Sequence, residues 1–243
     1  MRTISISVFA LAASVFVPTN AAAQMKWTDK AYATISVGGQ AGSHTLTTEP
    51  AFTLYEEPGT LTSVQKAGGG AFVDIGGGYK VWHDNLVLAL SFSHVGGDND
   101  AAIAAQVPDP VQFDHPRAVT TSLGGAKHSE NAVHISAVWM VPVTDKIDVG
   151  VSAGPSIFMV RQDVPTGLTV SEPGPNVTSV ASSKVKKTTG GFHTGVDVTY
   201  LLTKKIGAGL LARYTFGSVR LPDATKSLTV GGFQVGVGLR YRF

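Results

Sequence analysis

The chain has no cysteine. Disulfides, thiolate metal sites and thiol nucleophiles are excluded, so the fold must be held by burial and hydrogen bonding. Charge is scarce as well: charged residues make up 15% of 243, with a net charge of +2. That balance argues against a nucleic-acid partner and against a disordered chain. After the first residues no segment approaches the ~20 apolar residues that a spanning helix needs. A membrane crossing by this chain therefore has to use strands. The 7 histidines, His44, His83, His94, His115, His128, His134 and His193, show no close metal-ligand spacing. No metal or other cofactor is expected.

What is present begins with an export signal. Arg2 precedes the apolar run Ile4–Val17, Pro18 ends the run, and Ala21-Ala22-Ala23 supplies a small-residue cleavage site. The pattern predicts a signal peptide over 1–23 and a single mature domain over 24–243. The next signal is alternation. In Phe233–Phe243, residues Phe233, Val235, Val237, Leu239, Tyr241 and Phe243 share one face of an extended chain, and Gln234, Arg240 and Arg242 share the other with two glycines. An apolar exterior over a polar interior is the pattern of a closed barrel in lipid.

The same period of two recurs backwards along the chain. It predicts strands over Ile206–Val219, Gly190–Leu202, Ile147–Val160, Ala132–Val141, Leu86–Val95 and Ala71–Trp82, with a weaker opening strand over Ala31–Ala41. Pro155 cannot donate a ladder hydrogen bond, so a bulge or break is expected there. Short turns at His83–Asn85, Thr144–Lys146 and Thr203–Lys205 alternate with connections over Gly42–Gly69, Gly96–Asn131, Arg161–Thr189 and Arg220–Lys226. These are mostly long and rich in Pro, Gly, Ser, Thr and Asp, and the second, carrying Asp98, Asp100, Asp109 and Asp114, is expected to be a mobile polar loop. About eight strands with short turns at one end and long loops at the other predict an all-β, eight-stranded antiparallel transmembrane up-and-down barrel. Tyr79, Trp82, Trp139, Tyr200, Tyr214, Tyr241 and Phe243 fall near strand ends, where interfacial aromatic girdles form. The paucity of Lys and Glu on the polar faces argues against a soluble sandwich.

Alternation also places Asp74, Lys80, His134, Asp148, His193, Asp197, Arg213 and Arg240 on the inner face. An eight-stranded lumen is just wide enough for side chains to fill it, so these residues are expected to form a hydrogen-bonded, ion-paired plug. A narrow pore is the alternative. A lipid-modifying hydrolase would need a serine, histidine and acid converging at the outer rim; Ser93, His94 and Glu130 are near that level, yet Ser93 and His94 point to opposite faces. Lys184, Lys186 and Lys187 cluster where the third long loop meets its strand, placed to contact lipopolysaccharide phosphates.

With its signal peptide, its eight-strand rhythm and its terminal Gly238-Leu239-Arg240-Tyr241-Arg242-Phe243, the chain resembles the small outer-membrane β-barrel family that includes the transmembrane domain of outer-membrane protein A. The resemblance covers nearly all of 24–243 and does not extend to a peptidoglycan-binding domain. It implies a monomer in the bacterial outer membrane, in contact with outer-membrane lipids and lipopolysaccharide. It also implies that Leu239, Tyr241 and Phe243 are read by the barrel assembly machinery. Members of the family include structural proteins, adhesins, narrow pores and lipid-modifying enzymes, among which a fold alone does not choose. A structural or surface-interaction role without catalysis is expected here, with a narrow solute pore and a lipid A-modifying hydrolase as alternatives.

Overall fold

The computed structural model describes residues 27–42, 44–82 and 85–243. The expected signal peptide, 1–23, lies outside the described residues, as do His83 and Asp84 of the first short turn. The chain forms β1 (Ala31–Ala41), β2 (His44–Thr48), β3 (Ala51–Leu54), β4 (Glu57–Ala67), β5 (Gly70–Trp82), β6 (Leu86–Val107), β7 (Arg117–Thr144), β8 (Ile147–Ser171), β9 (Asn176–Leu201), β10 (Ile206–Val219) and β11 (Leu228–Arg242).

Eight of these, β1 and β5 to β11, pair antiparallel with their neighbours in turn, and β1 closes the ring on β11 from Tyr32↔Arg242 to Ala41↔Phe233. Closure leaves no sheet edge at membrane depth, which lipid cannot hydrogen-bond. The outward positions form an apolar belt that includes Ile35, Ile75, Leu90, Ile135, Ile157, Val196, Leu210 and Val237, all exposed. The aromatic residues expected at strand ends, from Tyr79 and Trp82 to Tyr241 and Phe243, also face outward. Pro155 keeps its register: the β7–β8 ladder skips Ile135 and Ser136, opposite Pro155 and Gly154, and resumes at Ala137↔Ala153 without a bulge. The missing N–H removes ladder bonds locally while the pairs on either side hold the alignment.

Three of the expected long loops are instead strands. β6 to β9 run for 22, 28, 25 and 26 residues, whereas about 9–11 suffice to cross a bilayer. Their outer halves continue the barrel wall into a tower, where β4, from the first expected loop, pairs onto β6 and in turn carries β2 and β3. The second connection is thus paired strand except for a short tip between Val107 and Arg117. The tower has its own core, in which Leu61, Ile103, Val107, Val119 and Leu168 pack with Phe52 and Val180. That core is the physical reason these polar-looking segments order. In β6, Ala101, Ile103, Ala105 and Val107 are buried and alternate with exposed residues. Strand β7 changes faces to contribute: even-numbered residues such as Ala126 and His128 point inward near the barrel, but odd-numbered Val119 does so in the tower. The switch occurs at Gly124–Gly125, where two residues oppose Asp100 alone. Gly125 adopts φ 66° and donates its N–H to Asp100 Oδ1 at 3.1 Å, a bulge that a side chain would strain.

Candidate functional site

The inner face carries two polar layers between apolar caps. At the end bearing the short turns, Trp27 is buried against Val87, Ala89, Val138 and Met140, and Lys80 donates to the Trp27 carbonyl at 2.6 Å while lying over its ring. Lys80 therefore fastens the entering chain at this mouth and stays out of the central network. Above it Arg242 pairs with Asp148 and with Asp29 (3.3 Å). Arg240 pairs with Asp197 and donates to Ser36 Oγ at 3.0 Å. Room for that guanidinium comes from Gly209, where an added Cβ would approach Arg240 Nε to 2.5 Å.

Arg213 sits at mid-lumen and donates to Asp74 Oδ2 (2.8 Å), Gln234 Oε1 (2.8 Å) and Ser91 Oγ (3.2 Å). Beside it the five side chains Ser93, His134, Ser156, His193 and Ser136 form an unbroken hydrogen-bonded chain with spacings of 2.9, 2.8, 2.9 and 2.7 Å. All the lumen residues expected from alternation thus face inward, and the charged pairs among them are Asp74 with Arg213 and Asp197 with Arg240. A cavity of about 80 Å³ remains among Ser36, Asp74, His193, Asp197, Arg213 and Arg240. It is large enough for a few waters.

Farther out, Phe72 crosses the lumen over Gly236, where a Cβ would come within 2.7 Å of its ring. The second polar layer links Gln234 to Gln40 (2.7 Å), Gln40 to Glu130 (3.3 Å), Glu130 to His128 (2.9 Å) and His128 to Gln162 (2.6 Å). Glu130 also accepts from the Gly231 N–H at 2.9 Å. Leu46, Phe158, Val160, Leu221, Leu228 and Val230 form the outer apolar cap. Sequence reasoning left Gln40, His128, Gln162 and Trp27 out of this assembly, and it read Glu130 as a rim acid. Gln40, His128, Glu130 and Gln162 stood in or beside segments read as loops. Gln234 and Arg242 were visible from alternation, but their partners were not.

Ser93, His94 and Glu130 do not converge. Ser93 is buried on His134, exposed His94 bonds Asn131 Oδ1 at 2.8 Å, and Glu130 is committed to His128. No group of three or more metal-ligating side chains occurs among the described residues.

A second assembly lies at the tower tip. Arg117 makes a two-pronged hydrogen bond to Glu172 (2.9 and 2.6 Å), pairs with Asp109 at 3.3 Å and donates to the Pro108 carbonyl. The Tyr55 hydroxyl donates to the same Glu172 at 3.1 Å. This clasp joins the β3–β4 turn, the β6–β7 tip and the β8–β9 turn. The Arg117 hydrogen bond holds the Glu172 carboxyl below its ordinary value, and the Val111 and Gln112 amides, with Arg117, do the same for Asp109. Because both values are lowered on folding, the clasp is complete above the usual carboxylate range near pH ~4 and is lost as pH falls through the lowered values. A spin label on Val111→Cys, unique in this cysteine-free chain, is expected to be immobilised at pH 7 and to become mobile as the pH is titrated down through the lowered carboxyl values. Adding Arg117→Ala is expected to make it mobile already at pH 7; unchanged mobility there would show that the clasp does not hold the loop.

On the inner end of the tower's outer face, Lys184 and Lys186 point outward on β9. Lys187 lies opposite buried Val160 and so on the other face of the strand.

The model of the outer membrane protein beta-barrel domain matches residues 9–243. No curated protein matches the chain. Among solved structures, Neisserial surface protein A is 12% identical, with 88% of this chain and 97% of that one covered and a TM-score of 0.45. The outer membrane protease OmpT of Escherichia coli is 11% identical, with coverage of 90% and 98% and a TM-score of 0.49. The attachment invasion locus protein Ail of Yersinia pestis, in complex with the heparin analogue sucrose octasulfate, is 10% identical, with coverage of 87% and 99% and a TM-score of 0.38. At these identities nothing about activity passes from those proteins to this one. A closed ring with an apolar exterior, a filled polar interior and a matching family model over nearly the whole sequence place the chain in the outer membrane protein β-barrel domain family, as a protein of the bacterial outer membrane.

Proposed function

We propose that the protein is a non-catalytic, non-conducting monomeric barrel whose task is to hold a rigid β-tower above the membrane and to present its tip to another macromolecule. The observation that carries this reading is the tip itself. The Arg117 clasp fixes the 108–116 loop, yet Val111 and Phe113 on that loop are 82% and 74% exposed. Two large apolar side chains held in water on an ordered support suit a contact surface better than a packing role. The tip is also acidic: Glu56 follows Tyr55 of the clasp, Asp114 lies in the 108–116 loop, and the clasp adds Asp109 and Glu172, which favours a partner of positive charge.

The filled lumen supports the non-conducting part. Ion-paired layers between two apolar caps, with a cavity of only about 80 Å³ among them, favour a closed lumen. Purified protein in planar bilayers is expected to give no conductance steps above background. Reproducible steps would put the narrow pore first, and loss of an acyl chain from lipid A on expression would put the hydrolase first.

A further inference from the structure

Four cations gather on the outward face just above the apolar belt. On β8 the outward residues run Ile157, Met159, Arg161, so Arg161 stands about 7 Å beyond the last apolar side chain at ~3.4 Å per residue. In register, Arg161 lies opposite Ser129 of β7 and opposite Lys186 of β9. Lys184 is two residues farther along β9, and Lys127 two residues farther along β7; all four cations are exposed. Like charges directly across a ladder destabilise a sheet. Yet Arg161, Lys184 and Lys186 form no ion pair among the described residues. Among the described residues no carboxylate pairs with either member of the facing pair, although Asp163 stands opposite Lys184 and Asp98 opposite Lys127.

Beside them is a surface hollow of about 440 Å³, floored by Gly96 and Gly97 of β6, with Lys127, Ser129, Arg161 and Lys184 around it. Asp98 and Asp163 also border the hollow, and Asp163 accepts from the Lys127 N–H at 3.3 Å. Four positive and two negative side chains leave an excess of two positive charges at the level where the belt ends. Lipid headgroups sit at that height, and a multiply phosphorylated headgroup supplies the missing anions.

We propose that Lys127, Arg161, Lys184 and Lys186 form a binding site for the phosphate groups of a phosphorylated outer-leaflet glycolipid. The site narrows the expected lysine cluster to its outward members and adds two residues from neighbouring strands. It does not depend on the display function or on whether the lumen conducts. Attraction between these cations and an anionic leaflet surface adds to belt burial and fixes the depth of the barrel. Arg161, whose planar fork can engage two phosphate oxygens at once, is the anchor.

The test uses the full chain reconstituted in phosphatidylcholine vesicles and titrated with purified lipopolysaccharide or with the same material dephosphorylated. Retained lipid is measured by mass spectrometry, and folding is checked by migration of unheated against boiled samples on a gel. The native chain is expected to bind the phosphorylated form at least about tenfold more tightly, in keeping with several surface cations acting together. Arg161→Ser with Lys186→Ser is expected to remove most of that preference. Arg161→Lys with Lys186→Arg should retain part of it, and Lys204→Ser with Lys205→Ser, at the opposite end of the barrel, should leave it intact. Equal binding of the two lipid forms by the native chain, or an unchanged preference in the serine variant, would overturn the site. Inorganic pyrophosphate binding as tightly as the lipid would overturn the choice of a lipid ligand. The comparison of lipid forms on the native chain decides the matter even if the serine variant fails to fold.

Discussion

Removing β11 is expected to abolish the folded barrel altogether. β11 pairs with β1 from Tyr32↔Arg242 to Ala41↔Phe233 and with β10 from Ile206↔Tyr241 to Val219↔Leu228. Its loss opens both ladders at membrane depth. Each backbone group left without a partner in hydrocarbon costs several kcal/mol, so the sum exceeds the total stability of an ordinary domain. The same strand carries Arg240, Arg242 and Gln234, and its deletion would also leave Asp197 and Asp148 without their arginines and take Gln234 from Arg213.

Phe243→Ser is a narrower cut. It removes an exposed ring that packs edge-on to Tyr241 at 4.7 Å but leaves the backbone bonds from Lys30 N to Phe243 O and from Phe243 N to Ala31 O available. The deletion should fail to fold in detergent as well as in cells. Phe243→Ser should refold in detergent yet insert poorly in cells, as the resemblance implies if Leu239, Tyr241 and Phe243 are an assembly signal. Migration of unheated and boiled samples reads both cases. Normal insertion of Phe243→Ser in cells would remove the signal reading and leave the ladder reading untouched.

The second large effect is expected from Arg213→Ala. Arg213 and Asp74 are both buried, 5% and 4% exposed, and the substitution leaves the carboxylate without its charge partner while Gln234 and Ser91 each lose a hydrogen bond. Breaking a buried pair from one side costs about 3–5 kcal/mol. The midpoint of urea unfolding in lipid should fall accordingly. Replacing both members, Asp74→Leu with Arg213→Met, should restore most of the loss, because no charge is then buried alone. A single variant that is as stable as the native chain would mean that water reaches Asp74 and that the lumen is less filled than its cavity indicates. Conductance of Arg213→Ala then becomes the informative readout.

Much of the barrel was legible because alternation is local. Residues such as Asp197 and Arg240 declared their inward face through their immediate neighbours, and the turns at Thr144–Lys146 and Thr203–Lys205 declared the order of strands. The tower was not legible in the same way. Ile103, Ala105 and Val107 do alternate, but they are set among Asp, Ala, Gly and Pro residues that read as loop. In β7 the phase changes at Gly124–Gly125, so one periodicity cannot be followed from Val119 to His134. His128 and Glu130, placed in loop by that reading, are among the most buried polar groups of the molecule.

The amino-acid sequence by itself determined the export signal as an expectation, the all-β class and which side of each barrel strand meets lipid, since an extended backbone turns successive side chains to opposite faces wherever it lies. Only the tertiary structure decided which inward groups meet and where the strands end. Asp74 and Arg213 are 139 residues apart in sequence, and their contact depends on the register of every strand pair around the closed ring. The outer halves of β6 to β9 are strands only because Leu61 and Phe52, from β4 and β3, complete a core for them to cover.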